Sequence, residues 1–144
     1  MKQTGNTTIT SAGVLGADGL YHGTFSAAGF VSGSGTTSES VNITLPSGGS
    51  VQARASATYT FHSTMTLTLS STNSITIVTN GTWAFTNSTL LYATGSGTWN
   101  ITDGTGTYAN LHGNGTLEIN SIDFSGAAVT VDDEYTGNLH NSSN

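Results

Sequence analysis

The stretch Gly95–Ile119, GSGTWNITDGTGTYANLHGNGTLEI, decides how the rest of the chain is read. In Gly97–Ile101, Trp99 and Ile101 alternate with Thr98, Asn100 and Thr102, the two-residue period of a strand with one buried face. Asp103-Gly104 follows, a dipeptide that readily takes the positive φ angles of a tight turn. Gly106, with no Cβ, suits a bend or the close passage of another strand. Tyr108 and Leu111 read as core plugs, and Leu117 and Ile119 then alternate with Thr116 and Glu118 as a second strand. A phosphate-cradling loop would also be rich in glycine, but it needs a helix-forming run after it and a lysine nearby, and neither is present. Glycines at the bends of a closed sheet explain the stretch better.

The same period recurs outward from it. Leu20–Val31 is a strand with Tyr21, Phe25 and Ala27 on one face and Gly29 at a bulge. Gly33–Ser40 reads as a turn region before the alternation Val41, Ile43, Leu45, and Pro46-Ser47-Gly48-Gly49 is the strongest break in the chain. Val51–Phe61 reads as a strand carrying Ala53, Ala55, Ala57, Tyr59 and Phe61 on one face, and Met65, Leu67 and Leu69 as another run. Ile75, Ile77, Trp83 and Phe85 belong to a strand or hairpin broken at Asn80-Gly81, a strong two-residue turn signal. Ile122, Phe124, Val129 and Val131 make a last hairpin around Ser125-Gly126, closing at Tyr135 and Leu139.

No window of helical period survives. Residues 1–17 read as a weak first strand or a flexible arm, 18–140 as a single β-barrel domain and 141–144 as a tail. About eight or nine strands at this spacing mean an all-β fold: an antiparallel eight- to nine-stranded barrel, with a sandwich as the second choice. Charged residues are only 7% of the chain, too few to guard open sheet edges, and closure removes edges altogether.

A family resemblance points the same way. The pattern G-T-W-x-I-x-x-G-T-G-x-Y-x-x-L-x-G-x-G-T, from Gly97 to Thr116, resembles a group of secreted bacterial β-barrel proteins of poorly defined function. Upstream, Gly23–Gly29 and Ser34-Gly35-Thr36 resemble that group's amino-terminal motif, so the likeness spans roughly Gly23 to Ile119 with a variable middle. The G-T-G-x-Y segment is also similar to one in allene oxide cyclase and dirigent proteins, which are eight-stranded antiparallel barrels. Those enzymes' catalytic residues do not map onto this chain, so the resemblance implies a barrel and carries no activity.

Composition excludes several partners. The 144 residues amount to one domain, with two basic residues, Lys2 and Arg54, and a formal charge of −6. A phosphate-neutralising surface cannot be built from that, which excludes nucleic acid and an electrostatically held anionic membrane. No run is long enough for a spanning helix, so no membrane insertion is expected, and no signal peptide is present, so export implies its removal. Without cysteine, disulfides cannot be the stabiliser. The neutral Thr/Ser/Asn/Gly-rich surface is of a kind common in extracellular proteins, and an extracellular location is expected. Seven N-x-S/T sequons, at Asn6, Asn42, Asn80, Asn87, Asn100, Asn114 and Asn141, are glycosylation candidates, against about four expected by chance at this composition.

Candidate chemistry is sparse. His22, His62, His112 and His140 form no local ligand pair and read as solvated or loop residues. Asp132-Asp133-Glu134 is the densest charge, and its oxygens make the cluster a candidate for calcium. The alternative is a solvated strand end. Alternation puts Asp133 on the face of Val129 and Val131; pointing into the barrel, its pKa would rise and make it a usable acid or base. Arg54, on the face of Gln52 and Thr58, reads as outward and solvated. Tyr21, Phe25, Tyr59, Trp99 and Tyr108 are the candidate ligand-binding residues, although an aromatic core looks the same in sequence. No cofactor is implied.

Three functions fit. The first is a secreted, non-enzymatic barrel that binds a small apolar ligand or serves as a surface component, since small barrels either fill with side chains or hold one ligand. The second is an allene oxide cyclase-like isomerase or cyclase with Asp133, Tyr108 and Tyr59 as polarising residues. A titratable group paired with a tyrosine in a deep cavity would favour it, and a packed interior would sink it. The third is a subunit of an extracellular fibre or coat, its partners copies of itself, joined through donation of the Met1–Ala17 arm.

Overall fold

The computed structural model describes residues 3–44, 51–87 and 90–142. Eight strands follow one another: β1 (Gln3–Leu15), β2 (Tyr21–Gly29), β3 (Gly33–Thr44), β4 (Tyr59–Thr68), β5 (Ser74–Phe85), β6 (Tyr92–Gly104), β7 (Leu111–Asp123) and β8 (Thr130–Asn141). Each pairs antiparallel with the next, and β8 returns to β1, closing an up-and-down barrel. Alternation drives the architecture. Along β4 every second residue, from Tyr59 through Phe61, Ser63 and Met65 to Leu67, is buried, while the intervening threonines and His62 face out. The core is the lumen, filled by inward residues of all eight strands.

The expected antiparallel barrel is formed, with eight strands, and the second choice, a sandwich, is not. Gln3–Leu15 is a strand, not a loose arm: Thr7–Leu15 pairs with β2 along one edge and Gln3–Val14 with β8 along the other. β1 and the seven strands that follow it therefore build one sheet.

Other expectations need correction. Val51–Ser56 is a short helix, α1, where the alanine alternation reads as strand. Ala53, Ala55 and Ala57 alternate as well as any strand residues, but alanine is the best helix former, and tertiary context decides between the two. Arg54 sits on this helix and is exposed, and its carbonyl accepts the Tyr59 hydroxyl at 2.9 Å. Gly33–Ser40 is not a turn region but most of β3. The Pro46–Gly49 break and Leu45 lie outside the described residues.

Asn80-Gly81 does not turn. β5 runs straight through it, and Gly81 lies opposite Gly97 of β6. A Cβ on Gly81 would come 2.8 Å from the Gly97 Cα and the Phe61 ring tip. Here glycine permits two strands to close on each other rather than reverse, as the barrel's curvature demands.

Two ends follow from the strand order. One carries the β1–β2, β3–β4, β5–β6 and β7–β8 connections, α1 among them; the other carries the remaining three connections and both outer ends of β1 and β8. At this second end Gly106–Tyr108 forms one 3-10 turn, with Gly106 at φ +60°, and Tyr108 packs half-buried against the core. Above it Trp99 lies across the lumen, its indole N–H facing the carbonyls of Thr116 and Thr136 at 2.9 and 3.2 Å. Phe25, Leu111, Leu117 and Leu139 are buried in the same lumen.

Candidate functional site

The first end is different. Between β2, β3, β4, β5, β7 and β8 lies a cavity of about 50 Å³, room for several water molecules or a small ligand group. Its wall is apolar: Val41, Phe61, Trp83, Leu117, Ile119 and Phe124 contribute most of it. A bulge in β7 between Ile119 and Ser121 shifts the alternation by one, so Ile119 and Ile122 both face the lumen opposite β8. Outside Trp83 an aromatic stack completes the end, with Tyr59 parallel to it at 4.3 Å and Phe85 and Phe124 packed at 5.3 and 5.8 Å.

Four polar side chains enter this wall: Tyr21, Glu39, Asp133 and Tyr135. Asp133 is 7% exposed and Tyr135 fully buried. The Tyr135 hydroxyl donates to Asp133 Oδ2 at 3.3 Å, with Met65 Sδ at 3.9 Å on its other side. Asp133 Oδ1 is buried and has no hydrogen-bond partner. Glu39 reaches in from β3 and is bonded by the Ser63 hydroxyl, which in turn bonds Thr79. Among the described residues no lysine, arginine or histidine lines the cavity.

Burial without a counter-charge fixes the electrostatics. The Asp133 carboxyl is pushed up to about 8, first by loss of solvent and then by the negative charge of Glu39; the Tyr135 hydroxyl opposes this, and Asp132 adds to it. Burial likewise raises Glu39, partly relieved by Ser63. Tyr21 and Tyr135 are raised by burial and by the two carboxylates, Tyr135 well above the usual phenol range. At neutral pH the Asp133 carboxyl therefore keeps its proton.

Asp133 thus faces inward, as the alternation with Val129 and Val131 implies. Its neighbours do not join it: Asp132 is exposed and Glu134 half-buried on the outer face. Among the described residues no three acidic, histidine or cysteine groups gather as a metal site would require. Of the aromatic candidates, Tyr21 lines the cavity. Tyr59 stands behind Trp83, its hydroxyl engaged by Arg54. Phe25 and Trp99 lie deeper in the core, and Tyr108 at the far end. Glu39 and Tyr135 are the polar groups that sequence reasoning did not single out. Extending the alternation backward from Val41 reaches Glu39, and forward from Asp133 reaches Tyr135.

The histidines stay outside. His22 is exposed and bonds Asp18 at 2.8 Å, His62 bonds Asn80 at 2.7 Å, and His112 stacks on its cross-strand neighbour His140 at 5.5 Å. Six of the seven sequon asparagines are exposed, and Asn141 is half-buried. Asn6, Asn42, Asn80, Asn100 and Asn114 lie within strands, each followed two residues on by a Thr, and Thr8, Thr82, Thr102 and Thr116 face outward with their asparagines. Strand alternation on a neutral Asn/Thr surface writes N-x-T by itself, which accounts for the excess over chance.

Comparison with protein families, curated proteins and solved structures finds no match for this chain. Function has to be argued from the cavity.

Proposed function

We propose that this protein is an extracellular carrier whose barrel binds one small, largely apolar molecule at the Asp133 end without transforming it. The observation that carries this reading is an apolar, aromatic-walled cavity lined by Asp133, a carboxyl with one buried oxygen that has no partner. A well-packed barrel would fill that space with side chains and would not leave a polar atom orphaned there. An apolar wall with a few placed polar groups is the usual make-up of a small-molecule site. The test is native mass spectrometry on protein purified from its own host. One small molecule per chain is expected; bare chain that also takes up no apolar fluorescent probe would overturn the reading.

A second reading has one observation in its favour. Asp133 and Tyr135 pair a titratable group with a tyrosine inside the cavity, the arrangement a cyclase or isomerase of the allene oxide cyclase-like kind would use. Chromatography of the released molecule before and after incubation with fresh protein distinguishes the two. A product of equal mass and different retention favours catalysis, and an unchanged molecule favours carriage.

A further inference from the structure

Resting on the carrier reading, we propose that the cavity selects an organic amine: an ammonium group held between Asp133 and Glu39, with its hydrocarbon body against the aromatic wall. Asp133 Oδ1 is an acceptor without a donor, and Glu39 supplies a second carboxylate to the same space. An ammonium brings three donors and a positive charge, which is what these two groups lack. Nothing basic on the wall competes for them.

Other ligands fit less well. A divalent metal ion wants six or more oxygens, and most of this wall is carbon. Among the described residues an anionic ligand finds no cation on this wall, and it would add negative charge beside two acidic groups. A neutral alcohol donates one hydrogen bond but brings no positive charge to two adjoining acidic groups. The faces of Phe61 and Trp83 add attraction for a cation, worth most where water is excluded.

The groups that face Asp133 are Glu39 from β3, Tyr21 from β2, Tyr135 on its own strand and the neighbouring Asp132. All are acidic or neutral, so binding an ammonium displaces the proton that Asp133 holds. The raised Asp133 carboxyl places this exchange below about pH 8.

The experiment is isothermal titration of the full chain with ethylamine and its neutral counterpart ethanol, sized to the cavity, at pH 6 and pH 8. The amine is expected to bind at least tenfold tighter than the alcohol at pH 8 and to weaken at pH 6, where buffers of different ionisation enthalpy should report proton release. In Asp133→Asn and Glu39→Gln, checked for folding by circular dichroism, the preference for amine over alcohol should fall tenfold. Alcohol binding as tightly as amine at pH 8 would overturn the amine inference and leave the carrier reading standing. Failure of both compounds and of an apolar fluorescent probe would overturn both.

Discussion

Tyr135 and Asp133 lie two residues apart on the inner face of β8, and the tyrosine hydroxyl gives the aspartate its one hydrogen bond among the described residues. The bond works against the burial that raises the carboxyl. In Tyr135→Phe the ionised form loses its donor, so the Asp133 midpoint should move above about 8. A carbon-13 titration of the Asp133 side chain reads this directly. Stability above that midpoint should fall by about 1–3 kcal/mol, and by less in acid. An unmoved midpoint would mean that the hydroxyl does not support the charge.

Asp133 also predicts an unusual pH profile. Its folded pKa is raised, so between the ordinary 3.8 and about 8 the folded state keeps a proton that the unfolded chain has released. Stability is then highest near the acid end of this window and declines with rising pH, by about 1.4 kcal/mol per pH unit for one proton. Glu39 is raised and acts in the same direction. Asp18 and Asp123 are lowered by His22 and by Ser125, have the opposite sign and act only as pH falls further; both are exposed. We expect the melting temperature to fall from pH 5 to pH 9, and Asp133→Asn to flatten the curve and melt higher at pH 9. A variant that melts lower than the parent at pH 9 would refute this.

Gly13 and Gly23 face each other across β1 and β2, yet they should respond differently to the same substitution. A Cβ on Gly23 would run into the Ala12 carbonyl and come 2.7 Å from the Gly13 Cα, whereas a Cβ on Gly13 meets nothing nearer than 3.7 Å. Gly23→Ala is expected to cost about 2–4 kcal/mol because backbone cannot yield as a side chain can; Gly13→Ala should cost under about 1 kcal/mol. Paired urea melts check the asymmetry.

Trp99 anchors the opposite half of the lumen. Trp99→Phe removes the N–H that faces Thr116 and Thr136 and leaves a void, for an expected loss of about 2–4 kcal/mol. Gly137→Ala should act on the same group from the other side, since its Cβ would come 2.7 Å from the indole ring. Near-ultraviolet circular dichroism should change in both variants. Amine binding should not, because Trp99 lies outside the cavity wall.

How far the fold could be read depended on how far alternation could be trusted. Where large apolar residues mark one face, as at Phe61, Met65 and Leu67 or Leu117 and Ile119, strand and facing were both legible. β3 was obscured because its inner face begins Gly35, Thr37, Glu39, none of which signals burial. Asn80-Gly81 was misleading because glycine serves a turn and a close strand approach equally, and only the partner across the sheet, Gly97, distinguishes them. The site was half legible for a related reason. Asp133 sits among valines that give away its direction, but Glu39 joins it from the far side of the lumen, a proximity that only barrel closure creates.

That closure also decides which way the cavity faces when the protein is tethered. Gln3 of β1 pairs with Asn141 of β8, so both outer strand ends leave the barrel side by side at the end away from Asp133. A linker, bead or second domain attached at either terminus would hold the protein by its base and leave the mouth pointing outward. An immobilised form for ligand capture can therefore be built from either end of the chain.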